Sequence, residues 1–178
     1  MNLLESIKSK YGVVNIDNLV ALIDEMISNK IKERSIEVEQ ENEKYYYALV
    51  RNALLSILSS ENDLSEVSIG SFGNMVDMMI GVSTFSELEH EADNKKAKTY
   101  RELLFDDIYQ TIGDCDFTED NYNELILYSD KCNKLFDTLD SVESGNLPNG
   151  VLEQYSEEVL EECLLDIYKY LFKDKLNS

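Results

Sequence analysis

Residues 15–34 read NIDNLVALIDEMISNKIKER. Ile16, Leu19, Val20, Ile23, Met26, Ile27 and Ile31 recur at steps of three and four, the period of one buried helix face. Asn15 or Asp17 supplies the cap, and Arg34 marks the far end. This stretch decides the fold class, because the same period returns on both sides of it.

Upstream, a short helix is expected over Asn2–Lys10. Asn2 caps it, Glu5 stands at its third position, Gly12 closes it, and Leu3, Leu4 and Ile7 face inward. Downstream, residues 41–59 present Tyr46, Leu49, Val50, Ala53, Leu54, Ile57 and Leu58 as a stripe. Ser60–Ser71 is polar and irregular, and reads as a connection. Ser71–Gly81 is a short segment apolar nearly all round (Phe72, Met75, Val76, Met78, Met79, Ile80). Such a segment is central core or a partner surface, and core is the plainer choice. Gly70, Gly73 and Gly81 around it suit tight packing or a hinge.

Ser86 is the expected cap of the following helix. That helix either continues or restarts at Thr99, and runs through Leu103, Leu104, Ile108 and Ile112 to Gly113. A long helix from Thr118 to about Val142 turns Leu125, Ile126, Cys132, Leu135, Phe136 and Leu139 inward. Gly145–Gly150 is a breaker. A final helix from Val151 to Leu176 carries Val159, Leu160, Cys163, Leu164, Ile167, Tyr168, Leu171 and Phe172. The expected fold is all-α, an irregular bundle of about six to seven helices. It forms a single domain over 1–178, and 60–70 is the place where it would divide into lobes.

The charge is unusual. Sixteen basic residues face 36 acidic ones, a net of −20, against a magnitude of about 2–8 for a small soluble domain. Residues 1–101 hold 17 acids and 11 bases; residues 102–178 hold 19 acids and five bases. Self-repulsion on this scale costs stability. Direct binding to nucleic acid or an anionic membrane needs a Lys/Arg surface, so the natural partner is a basic protein surface. The absence of a signal-like or membrane-length apolar run leads to an expectation of cytoplasmic residence. The excess of lysine over arginine, with many Asn, Ile and Tyr, suggests an AT-rich genome.

Three clusters hold the candidate partner-binding residues. In Ser35–Glu43, acids fall at every second position: Glu37, Glu39, Glu41 and Glu43. An extended chain would put these on one side at about 6.6–6.8 Å intervals, and a solvated helix start or linker is the plainer alternative. Asp114, Asp116, Glu119 and Asp120 form a second, loop-like cluster. In the last helix, Glu157, Glu158, Glu161 and Glu162 trace a stripe with Gln154, setting like charges together where a solvated face usually mixes signs. An ordinary solvated face remains the alternative there.

No catalytic residues are indicated. No Walker loop, Rossmann glycine pattern, EF-hand or nucleophile elbow is present. His90 is the one histidine, so Glu87-x-x-His90 cannot complete a di-iron set; it reads as a solvated helix residue. Asp114–Asp120 lacks EF-hand spacing and its central glycine. Cys115, Cys132 and Cys163 read as reduced thiols, mostly buried, with neither disulfide nor zinc spacing. No cofactor, metal or enzymatic activity is expected. Tyr45, Tyr46 and Tyr47 point in three directions on a helix, one ring inward and at least one outward. An exposed tyrosine beside carboxylates makes a rigid amphipathic interface group.

In size, acidity and lack of catalytic motifs, the chain resembles the anti-CRISPR proteins of phages and mobile elements. The clusters Glu37–Glu43, Asp114–Asp120 and Glu153–Asp166 carry this resemblance. It implies a nucleic-acid mimic that binds a CRISPR effector nuclease and blocks target DNA recognition. The competing expectation is a helical interaction module, such as a toxin-immunity protein or a regulator, docking through an apolar groove near Phe72–Ile80. An apolar helix of that kind can also support a homodimer.

Overall fold

The computed structural model describes residues 1–92, 99–114, 123–125 and 129–176, with the backbone alone at 41, 84–92 and 112–114. Seven α-helices with both ends described lie among these residues, with three short 3-10 segments and further helical residues at 123–125, and the fold is all-α as the helix period predicts. We number them α1 (Leu3–Tyr11), α2 (Ile16–Glu33), α3 (Glu43–Ser60), α4 (Ile69–Ala92), α5 (Tyr100–Asp114), α6 (Asp130–Glu143) and α7 (Glu157–Phe172). No described helix is long and apolar enough to cross a membrane. The chain divides into two compact units, Met1–Thr99 with the chain end from Phe172, and Tyr100–Leu171.

The first unit follows its sequence signals closely. Asn2 Oδ1 accepts the Glu5 amide at 2.8 Å, and Glu5 Oε2 accepts the Asn2 amide at 2.9 Å, a reciprocal capping box. Gly12 ends α1 at φ 79°, which a side chain would resist. Asn15 caps α2, and Ile16, Leu19, Leu22, Ile23 and Ile27 are buried from it. Full burial of one such aliphatic side chain contributes about 1.5–3 kcal/mol, so α2 is held by packing. α2, α3 and α4 pack mutually, and α1 joins α2 and α4.

Residues 61–68 connect α3 to α4, and this connection lies inside the first unit. Leu64 and Val67 are buried, the Leu3 amide donates to Val67 O at 2.8 Å, and Asn2 pairs with Ser68 in an isolated antiparallel bridge. The division between units falls instead at Thr99–Tyr100.

Three helix boundaries differ from the sequence expectation. First, α4 does not stop at Gly81 and restart at Ser86; it is one helix from Ile69 to Ala92. An interior glycine costs about 1 kcal/mol, and burial of Phe72, Val76 and Ile80 in one stripe outweighs that. Second, no helix runs unbroken from Thr118 to Val142. Ser129 is extended (φ −135°, ψ 110°) and caps α6, accepting the Cys132 amide at 3.2 Å. Third, the last helix begins at Glu157 rather than Val151. Residues Asn149–Gln154 form a 3-10 segment after Pro148, and Ser156 Oγ accepts the Val159 amide at 3.3 Å to start α7. Tyr155 ties this connection to α6, its hydroxyl meeting Thr138 Oγ1 at 2.8 Å and donating to Lys134 O at 3.1 Å.

In the second unit, α7 is bonded to both α5 and α6. Tyr100 Oη donates to Glu161 Oε1 at 2.6 Å, and Thr111 Oγ1 lies 3.5 Å from Tyr168 Oη. Ser129 Oγ donates to Asp166 Oδ2 at 2.8 Å. Leu160, Cys163, Leu164, Ile167 and Tyr168 form the buried stripe of α7.

Candidate functional site

Division of the chain into units sharpens the charge asymmetry. The second unit, Tyr100–Leu171, holds 18 acids and four bases, a net of −14; the remainder holds 18 acids and 12 bases, a net of −6. The acid excess therefore belongs to one folded body. Few cations in it are left to offset that charge. Lys131 pairs with Glu162. Arg101 donates to Leu152 O and lies 5.8 Å from the Phe105 ring centre.

The stripe expected on the last helix divides in two. Gln154 belongs to the 3-10 segment, so the helical stripe starts at Glu157. Glu161 is half-buried and accepts the Tyr100 hydroxyl, and Glu162 is exposed but paired with Lys131. Each of these two carboxylates has its partner on another helix of the unit. Glu157 and Glu158 are exposed in the first turn of α7, and no ion pair to either occurs among the described residues. A first-turn carboxylate also meets the positive end of the helix dipole.

The cluster near residue 40 spans a connection, a 3-10 segment and a helix start. Residues 36–39 lie outside any helix, with Ile36 and Val38 half-buried and Glu37 and Glu39 exposed, and Glu39 is extended (φ −61°, ψ 136°). Then Gln40–Asn42 turns as a 3-10 segment, and Glu43 opens α3 as an exposed residue. The four acids therefore do not lie on one extended line. Glu41 is part of the 3-10 segment, and its side chain lies outside the described residues. This cluster belongs to the first unit and the α7 stripe to the second.

Asp114 is the last residue of α5, while Asp116, Glu119 and Asp120 lie outside the described residues, as do Cys115, Thr118 and the side chain of His90. Among the described residues, no group of three or more His, Cys, Asp or Glu side chains is placed to hold a metal ion.

The fold adds acids that the sequence stripe did not single out. Asp130, Asp137 and Asp140 are exposed on α6. Tyr109 of α5 is 46% exposed, and its hydroxyl pKa is pushed up first by partial burial and then by the charges of Glu143 and Asp140. It is an aromatic ring set among carboxylates, the pairing first sought at Tyr45–Tyr47. There, Tyr46 is buried and its two neighbours are half-buried. The signal for Tyr109 was present in part, since it lies outside the Leu104–Ile108 stripe, but its acidic neighbours come from α6, more than 30 positions away.

On α4, Phe72 is fully buried and cannot line an open groove, whereas Met78 and Val82 are 55% and 54% exposed, one helical turn apart.

No protein-family model, curated protein or solved structure matches the chain.

Proposed function

We propose that this chain is an acidic helical inhibitor, a nucleic-acid mimic that occupies the basic nucleic-acid-binding surface of a nuclease. A CRISPR effector is the first candidate, with block of target DNA recognition as the outcome. The observation that carries the reading is the net charge of −14 in residues 100–171. Within that unit Glu157, Glu158, Asp130, Asp137 and Asp140 are exposed carboxylates on two helices. Rigid carboxylates of this kind steer a basic partner and compete for the arginines and lysines that grip phosphate. Tyr109 would supply the amphipathic contact beside them.

The test is a pull-down from a host that carries CRISPR and other nuclease systems, followed by direct binding to each captured enzyme. The expected result is capture of a basic nucleic-acid enzyme, competition by its DNA, and steep weakening with salt. Changing Glu157 and Glu158 to Gln, with Asp137 and Asp140 to Asn, should release the partner. Capture that persists unchanged in this variant and at high salt removes the mimic.

A second reading rests on Met78 and Val82: a helical interaction module, such as an immunity protein or regulator, docking through α4. Its binding would tolerate salt and fail on Met78→Asp, which leaves the buried stripe of α4 intact.

A further inference from the structure

The antiparallel register of α6 and α7 sets two thiols opposite each other. Ser129, at the start of α6, donates to Asp166 at 2.8 Å. One turn further along α6, Cys132 Sγ donates to Cys163 O at 3.5 Å, and Cys163 stands one turn back along α7. Beside this pair, Lys131 bonds Glu162. Three neighbouring cross-links thus fix which residues face each other. Both cysteines are free and fully buried, and the Cys132 thiol reaches the Cys163 backbone. Opposed positions on packed helices are what a disulfide needs, because its sulfurs must meet without moving the backbone.

We propose that Cys132 and Cys163 form a latent disulfide that oxidation closes across α6 and α7. The oxidant is a small-molecule disulfide of the glutathione class. Cys132 loses its proton to solvent, and its thiolate attacks one sulfur of that disulfide, releasing one small thiolate. Cys163 then loses its proton and attacks the Cys132 sulfur of the mixed disulfide. A second small thiolate leaves, and the Cys132–Cys163 bond remains. Two protein thiols are oxidised, and one small disulfide is reduced to two thiols. The neighbouring thiol lowers the pKa of Cys132 and raises that of Cys163, a direction that favours Cys132 as the first to attack. Full burial makes the reaction wait on local opening of the second unit, so closure should be slow in the native protein and fast during refolding. Once closed, the bond ties α7, with Glu157, Glu158 and Glu162, to α6, with Asp130 and Asp137. The inference does not depend on the proposed function.

The test refolds the full chain in glutathione buffers from fully reduced to fully oxidised, blocks free thiols, and maps peptides by mass spectrometry. The expected product is a peptide pair linked through Cys132 and Cys163, absent in Cys132→Ser and Cys163→Ser and retained in Cys115→Ser. The oxidised protein should keep its helical circular dichroism and melt several degrees higher than the reduced form. Absence of the linked pair in fully oxidised buffer overturns the proposal. So does a bond that requires Cys115, or one that forms only with loss of helix.

Discussion

Arg51 grips Asp24 across the α2–α3 contact through two hydrogen bonds, Nε to Oδ1 at 2.7 Å and Nη2 to Oδ2 at 2.9 Å. The side chains are 25% and 32% exposed. The fork geometry of guanidinium on carboxylate is retained, and water screens the pair only in part. Neither residue belongs to an acidic cluster, and the bond spans 27 positions.

Replacing either partner should therefore cost about 1 kcal/mol, the upper end for a partly exposed pair. Lysine at position 51 should recover only part of the loss, because an ammonium cannot reproduce the fork. Urea denaturation of Arg51→Met, Arg51→Lys, Asp24→Asn and the double variant checks this. A coupling energy near zero would show that the pair contributes geometry alone.

Much of the first unit was legible because its signals are local. The Asn2 and Asn15 caps, the Gly12 stop and the α2 stripe each depend on residues within a few positions of one another. The start of α6 was not legible, because the role of Ser129 is completed by Asp166, 37 positions away. Glu161 and Glu162 read as free carboxylates for the same reason: their partners, Tyr100 and Lys131, come from other helices. The continuation of α4 through Gly81 was hidden because a glycine signal states a local cost, while the offsetting burial is tertiary. The acid bias of the second unit was visible as composition, and the fold supplied its boundary.

Ser35 and Gly145 close α2 and α6 with the same two bonds. Ile36 N donates to Ile31 O at 3.0 Å and Ser35 N to Lys32 O at 3.2 Å; Asn146 N donates to Ser141 O at 2.8 Å and Gly145 N to Val142 O at 3.1 Å. Both closing residues are left-handed, Ser35 at φ 52° and Gly145 at φ 79°. The left-handed conformation costs a non-glycine residue about 1–2 kcal/mol, partly offset by the greater unfolded freedom of glycine. Ser35→Gly should stabilise the first unit by about 0.5–1 kcal/mol, read as a raised denaturation midpoint with unchanged slope. Gly145→Ser should shift the second unit the opposite way.

Asp63 caps the 3-10 segment Leu64–Glu66, and its Oδ1 accepts the Ser65 amide at 2.8 Å. The Ser65 side chain first, and its backbone second, hold the Asp63 pKa below the ordinary 3.8. A folded pKa lower than the unfolded one gives stability that is complete above pH 3.8 and fades as pH falls through the folded value. The gap in stability between the native chain and Asp63→Ala should be constant from pH 7 to about pH 5 and shrink below pH 4. A gap that widens in acid would reverse the assignment.

Ser129 is 4% exposed and serves as donor to Asp166 and acceptor for the Cys132 amide. Ser129→Ala removes both bonds and leaves the buried amide without its cap. The cost should be about 1–3 kcal/mol, a helix cap plus an unsatisfied buried group. Ser129→Asp would keep an acceptor for the amide but set a second carboxylate against Asp166, so it should rescue less than Ser129→Thr. Thermal melts of the three variants give the order Thr, Asp, Ala from most to least stable.

The exposed pair Glu157–Glu158 separates a structural use of charge from a binding one. Both residues lie in the first turn of α7, where the helix dipole favours a carboxylate by about 0.3–1 kcal/mol each at low salt. Mutual repulsion works against that gain. Glu157→Gln with Glu158→Gln should therefore lower stability by no more than about 1 kcal/mol, and less in salt. Binding to a basic partner should respond much more, since removing two steering charges slows association and flattens its salt dependence. Denaturation midpoints and association rates measured on the same double variant check the two effects together. A variant that loses stability but associates at the native rate with the native salt slope would show that these carboxylates serve the helix alone.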